Sequence, residues 1–242
     1  MLTHCEIIFK NYILWPIIAL LSTMAIYLVL VGATYRILSS SSYAEELIWR
    51  FSVSKDLLGI YGDERGKKLQ SIVNNLPILL MPHQYTKVTI LITQDDDINA
   101  FAAPGGRIIL TTGLLESIKS ENALLFVIGH EIAHLDKKDH LYEFSRTLIS
   151  NLYGILTWSD LFPEILRLID GSKTKDSEFL ADKRALKMLI QHYGHVVGAD
   201  ELFNVLLLRE KDRKLHYSLL STHPTVEERL DKINRLIKEN KL

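Results

Sequence analysis

Residues 13–35, ILWPIIALLSTMAIYLVLVGATY, carry no charged side chain. At about 1.5 Å of rise per residue, a helix of this length crosses the roughly 30 Å hydrocarbon layer of a bilayer. Lys10 and Arg36 bracket the run, and Tyr12, Trp15 and Tyr35 sit where interfacial aromatics belong. A buried core helix rarely stays uncharged for so long. A cleaved signal peptide, with Ser42-Tyr43-Ala44 as its cut site, has an apolar stretch of only about 7–15 residues. The expected organisation is therefore a tail at 1–11, a transmembrane anchor at 12–36, a serine-rich linker at 37–49, and one domain at 50–242. That domain is large enough for a real core.

Lys and Arg number 28 and Asp and Glu 29, a net charge of −1, so the basic excess of a nucleic-acid binder is missing. Cys5 is the single cysteine, which excludes an intrachain disulfide. Residues 43–76 show helical spacing, weakened by Gly59, Gly62 and Gly66. KVTILIT at 87–93 alternates like a half-buried strand. Strands are also expected at 98–102 and 107–112, with Ala103-Pro104-Gly105-Gly106 as a type II turn between them. Ser120 caps a helix from Glu121. Further helices are expected near 142–169, 176–192, 198–213 and 225–240, the last with Thr225 and Glu228 as a capping box. The fold class is α+β, mostly α, with a small sheet.

VIGHEIAHLD at 127–136 places His130 and His134 four residues apart, on one helical face. Both imidazoles can reach one Zn²⁺, with Glu131 beside them to take a proton from a zinc-bound water. This is the H-E-x-x-H pattern, set in an apolar helix where an unpartnered His-Glu pair is costly to bury. His140 has the spacing of a third histidine ligand in H-E-x-x-H-x-x-G-x-x-H, but Lys137 stands where that pattern needs glycine. KDSEFLADKRAL offers a better third ligand. Glu178 and Asp182 share a helix face, so Glu178 can reach zinc while Asp182 holds a ligand histidine. THPTVEERL follows, with His223 ahead of the last helix and Arg229 within it.

These four stretches, NAFAAPGGRIILTTGLL, GHEIAHLDKKD, SEFLADKRAL and STHPTVEERL, in this order, resemble metallopeptidase family 48. Its members include HtpX-like and CAAX-prenyl-protease-like membrane zinc endopeptidases. The resemblance covers about residues 50–242. It implies a gluzincin-type zincin fold with one Zn²⁺ per chain, held by His130, His134 and Glu178, and Glu131 as general base. It further implies Asp182 and Asp139 as supporting acids and Arg229 as an organising residue. His223 would stabilise the oxyanion or block the metal's open position. Asn99, Ala100, Phe101, Ala102 and Ala103 would form the edge strand that binds substrate backbone, with apolar residues around Phe101 giving an apolar bias. Residues 151–169 are interrupted by Asp160, Pro163 and Glu164, so they are expected to form a lid or a membrane-surface element.

The function expected is a zinc endopeptidase acting on unfolded or extended polypeptide, in envelope or membrane quality control. It would be anchored by residues 12–36 in a bacterial inner membrane, with the protease domain in the periplasm. The rival expectations are a latent protease and a weakly proteolytic chaperone of the same fold.

Overall fold

The computed structural model describes residues 9–52, 64–77, 80–157, 175–210 and 226–238. A π-type turn, Phe9–Leu14, leads into helix α1, Trp15–Ser39, with Pro16 tolerated in its first turn. Ile17, Leu20, Leu21, Leu28 and Val29 point outward from α1. Among the described residues it is the one helix long and apolar enough to cross a membrane. The Ser39 and Ser40 hydroxyls turn back onto the Arg36 and Ile37 carbonyls and end it.

Helices α2, Ser42–Ser52, and α3, Glu64–Asn74, precede three strands: β1, Thr89–Thr93, β2, Ala100–Ala103, and β3, Arg107–Thr111. The short α4, Thr112–Ser117, follows. Next come α5, Glu121–Lys137, α6, Asp139–Thr157, α7, Lys175–Tyr193, α8, Glu201–Glu210, and α9, Val226–Lys238. Two compact units result. One holds α1 with α6 from Leu141 onward, and the other holds the remaining described elements.

In the first unit Tyr27 and Val31 of α1 pack against Ile149 of α6, flanked by Met24, Tyr142 and Tyr153. The Tyr27 and Ser150 hydroxyls share a hydrogen bond of 3.0 Å. The helix expected over 142–169 starts earlier, at Asp139, and runs at least to Thr157. The rest of that segment lies outside the described residues.

In the second unit the sheet order is β1-β3-β2, with β1 and β3 parallel and β2 and β3 antiparallel. Gly105 and Gly106, at φ 77° and 71°, supply the positive dihedrals that the tight β2–β3 connection requires. One sheet face, Ile90, Ile92, Ala100, Ile108 and Leu110, joins the main core with α5. α5 is buried continuously from Ala123 to Leu135, as a helix apolar on every side must be. Ser120 caps it by accepting from the Ala123 amide at 3.1 Å.

Two expectations change. β1 is buried on both faces, because Trp49 of α2 covers Leu91, Ala103 and Ile109 on the second face. The stretch 37–49, expected as a linker, is helical apart from Ser40 and Ser41. The physical reason is amphipathic: Glu45, Ile48 and Trp49 lie on one face of α2, and all are buried. Arg107 stacks over Trp49 at 4.5 Å and pairs with Glu46 at 2.7 Å, fastening α2 to the sheet.

Glu45 makes the deepest of these contacts. It accepts from the Tyr85 hydroxyl and from the Gly105 amide at 3.0 Å. Lys138 Nζ lies 3.4 Å away and His140 Nε2 3.8 Å. Burial pushes its carboxyl up, but the hydrogen bonds from His140, Tyr85 and Gly105 outweigh burial and bring the pKa down to about 2. A depressed folded-state pKa stabilises above the unfolded value and loses that effect as pH falls through the folded one. Glu45→Gln should therefore cost about 3 kcal/mol at neutral pH. The difference from the parent chain should vanish as pH falls from about 4.5 through about 2, where Glu45 itself becomes neutral. Urea unfolding in detergent across that range measures it.

Candidate metal centre

Two helices build the site. α5 and α7 approach closely at Gly129, where an added Cβ would stand 3.0 Å from the Ala185 Cα and 3.2 Å from Met188 Sδ. Asp136 near the end of α5 pairs with Arg184 of α7 at 2.6 Å, fixing the helices against each other. His130 and His134 from α5 then face Glu178 and Asp182 from α7, and Arg229 reaches in from α9. All five are buried.

The two Nε2 atoms of His130 and His134 lie 3.1 Å apart. His130 Nε2 is 3.3 Å from Glu178 Oε2, and His134 Nε2 is 3.3 Å from Glu178 Oε1. These three residues form the group of donors that can hold one metal ion. The spacing is chemically specific: ligands about 2.0–2.1 Å from a tetrahedral zinc are separated by roughly 3.3 Å.

The outer nitrogens are fixed as well. His130 Nδ1 meets Asp182 Oδ1 at 2.9 Å, and His134 Nδ1 meets Asp139 Oδ2 at 2.7 Å. Each carboxylate selects the tautomer that turns Nε2 inward. Burial would raise the Asp182 carboxyl's pKa, but hydrogen bonds from Arg229 and His130 hold it below the usual carboxylate range. Arg229 grips Asp182 with two bonds, Nε to Oδ2 at 2.8 Å and Nη2 to Oδ1 at 2.6 Å. Its Nη1 lies 3.0 Å from Glu178 Oε2. Among the described residues, three buried carboxylates, Glu131, Glu178 and Asp182, against the buried guanidinium of Arg229 leave two negative charges when ionised. A divalent cation would balance that charge, which is otherwise costly to bury.

His140 lies elsewhere. Its Nε2 is 3.4 Å from the Tyr85 hydroxyl, on the Glu45 side. α5 ends at Lys138, which takes the left-handed conformation at φ 58°, at a cost of about 1 kcal/mol for a residue with a Cβ. The break expected at 137 in a glycine-dependent motif thus occurs one residue later, without glycine. It lets α6 restart at once and brings Asp139 beneath His134.

Glu131 points the other way. Its Oε2 accepts from the Ala102 amide of β2 at 2.9 Å. The Thr111 amide donates to Asn99 O at 3.1 Å, so antiparallel alternation turns the backbone of Asn99, Phe101 and Ala103 toward β3. Ala100 and Ala102 alone of that stretch turn theirs outward. Phe101 packs near Trp49 on the sheet face away from α5, so it does not supply an apolar wall to the centre. That wall is instead a cavity of about 20 Å³ lined by Phe126, Val127, Leu202, Phe203 and Leu206, beside His130, Glu131 and Arg229. His223 lies outside the described residues. Sequence reasoning missed Gly129, Glu45 and Trp49. Glu45 had a signal, an acid on the apolar face of a short helix, but nothing in the sequence names its partners.

A buried helix pair presenting clustered imidazoles and carboxylates beside a strand edge defines the class of helix-borne metallopeptidases. Residues 63–237 match Peptidase family M48, and the chain belongs to that family. It is 27% identical to the mitochondrial metalloendopeptidase OMA1 of Bos taurus over 61% of this chain, spanning 32% of that protein's length. It is 22% identical to a protease HtpX homolog of Streptococcus pyogenes serotype M49, over 93% of this chain and 94% of the relative. Similar coverage and identity recur for the HtpX homolog of serotype M3.

Proposed function

We propose that this chain is a zinc endopeptidase, anchored in a membrane by α1, that cuts unfolded or extended polypeptide during quality control of envelope or membrane proteins. The observation that carries the reading is the donor triangle of His130, His134 and Glu178, with edges of 3.1, 3.3 and 3.3 Å, next to Glu131 and the outward edge of β2. Zinc held there supplies Lewis acidity, which makes hydroxide available near neutral pH.

The chain's own groups do the rest. Ala100, through its amide and carbonyl, and Ala102, through its carbonyl, pair with an extended substrate, so the enzyme reads backbone more than side chains. The Ala102 amide holds the Glu131 carboxylate beside that paired chain. Glu131 takes a proton from the attacking water and returns it to the leaving amine. Asp182 and Asp139 keep both imidazoles oriented, and Arg229 keeps Asp182 ionised. His223 is assigned, on sequence alone, to donate to the oxyanion. The apolar cavity favours a small apolar side chain next to the cut. A single N-terminal anchor most simply delivers the following domain across a bacterial inner membrane, into the periplasm.

The full chain in detergent, loaded with zinc, should degrade reduced casein and stop when phenanthroline strips the metal. A metal-loaded, folded chain that leaves casein intact would refute the activity. A proline scan of a cleavable peptide tests strand pairing. Proline removes an amide donor and should block cutting at alternate positions near the bond; indifference at every position rules the pairing out.

A further inference from the structure

The corner between α5 and α6 is held by a side chain outside the metal centre. Glu45 of α2 is 1% exposed, and its two oxygens have separate partners. Oε2 accepts from the Tyr85 hydroxyl and the Gly105 amide, which fix the carboxylate against the β2–β3 turn. Oε1 faces Lys138, whose Nζ lies 3.4 Å away on a side chain that is 15% exposed. A pKa brought down to about 2 keeps Glu45 charged at neutral pH. All of these residues belong to the second compact unit.

Lys138 is the residue that most needs holding. Among the described residues it is the one non-glycine residue with a positive φ, 58°. Its amide closes α5 onto the His134 and Leu135 carbonyls. Glycine is the usual occupant of such a helix end, because a Cβ is disfavoured in the left-handed region. The next residue, Asp139, places Oδ2 2.7 Å from His134 Nδ1 and so selects that imidazole's tautomer. The dihedrals of Lys138 therefore decide whether Asp139 meets His134. A buried carboxylate that grips the lysine ammonium offsets the backbone cost that glycine would avoid.

We infer that Glu45 is a positioning residue for the metal centre: by holding Lys138 left-handed, it keeps Asp139 on His134 and so raises the affinity for zinc. The inference rests on the zinc reading of the His130, His134 and Glu178 triangle. Its route runs from Glu45 through Lys138 and Asp139 to one imidazole. His140, on the other flank of Asp139, faces Oε2 at 3.8 Å and is not part of that route.

Zinc affinity of the full chain in detergent, read by chelator competition on protein shown to be folded by circular dichroism, tests this. Asp139→Ala sets the scale, since loss of an outer partner costs roughly 10–100-fold. Glu45→Gln keeps an oxygen for Tyr85 and Gly105 but turns an uncharged amide toward Lys138. It should weaken zinc binding about 5-fold or more, the population penalty of one left-handed residue. Lys138→Met leaves Glu45 in place and should do the same, which covers a Glu45→Gln chain that does not fold. Added to Asp139→Ala, Glu45→Gln should change affinity by less than about twofold, because the link it supports is gone. Glycine rescue is the decisive arm. With Lys138→Gly present, the left-handed turn needs no support, and Glu45→Gln should again cost less than about twofold. If Glu45→Gln and Lys138→Met leave zinc affinity unchanged, the inference is overturned and Glu45 contributes to stability alone. It is overturned too if Glu45→Gln weakens binding as much with Lys138→Gly as without it. A parent chain that binds no zinc removes the zinc reading and the inference together, whereas zinc binding by the parent leaves the variants to judge the inference alone.

Discussion

Glu131→Gln should give a folded, zinc-loaded chain that cuts casein about 10²–10⁴-fold more slowly than the parent. Glutamine keeps a side-chain oxygen that can accept the Ala102 amide, so the 2.9 Å link to β2 survives. What disappears is basicity: a neutral amide cannot take a proton from water. The metal should stay, because Glu131 is not one of the three clustered donors. Zinc content and casein kinetics measured on the same sample separate the two effects. Full activity in metal-loaded Glu131→Gln protein would remove Glu131 from the chemistry and leave its bond to Ala102 as a structural clamp.

Glu178→Gln should empty the site. Glutamine is a poor metal ligand, and the change also removes the charge that faces Arg229 Nη1 at 3.0 Å. The loss should exceed the roughly 10–100-fold cost of deleting an outer partner such as Asp182. His140→Gln is the matched comparison. His140 follows the zinc motif at a ligand-like spacing, yet it faces Tyr85 and Glu45, so zinc affinity should be unchanged. Chelator competition reads both variants on one scale. Retention by Glu178→Gln together with loss by His140→Gln would mean that the metal sits elsewhere.

The parts of the site that follow helix periodicity were legible in the sequence. His130 and His134 share a face because they are four apart, and so do Glu178 and Asp182. α5 is apolar on every side, so the rotation that brings the two pairs together is set by its contact with α7, at Gly129 and at the Asp136–Arg184 pair. The three strands and the Ser120 cap were legible for the same local reasons. What the sequence hid depends on contacts between distant segments. The role of Ala102 as the donor to Glu131 follows from which edge of β2 is paired, and hence from β3 lying between β1 and β2. Phe101 looked like a pocket wall until sheet alternation turned it toward Trp49. Residues 37–49 were expected as a linker because the serine turn chemistry was read without the amphipathic face that follows it. His140 matched a known spacing, but spacing says nothing about a left-handed residue at 138 that redirects the chain.

Gly129 gives the close helix contact a mechanical meaning. The donor triangle takes two corners from α5 and one from α7, so two of its edges are interhelical distances. Ligand distances tolerate errors of only about 0.2 Å, whereas a packed core absorbs larger shifts by adjusting side chains. The centre therefore works as a caliper set by the absence of one methyl group. Prying α5 from α7 by half an ångström, whether by a side chain at 129 or by loss of the Asp136–Arg184 clasp, would release the metal while the fold held. The protease would fall silent well before it unfolded.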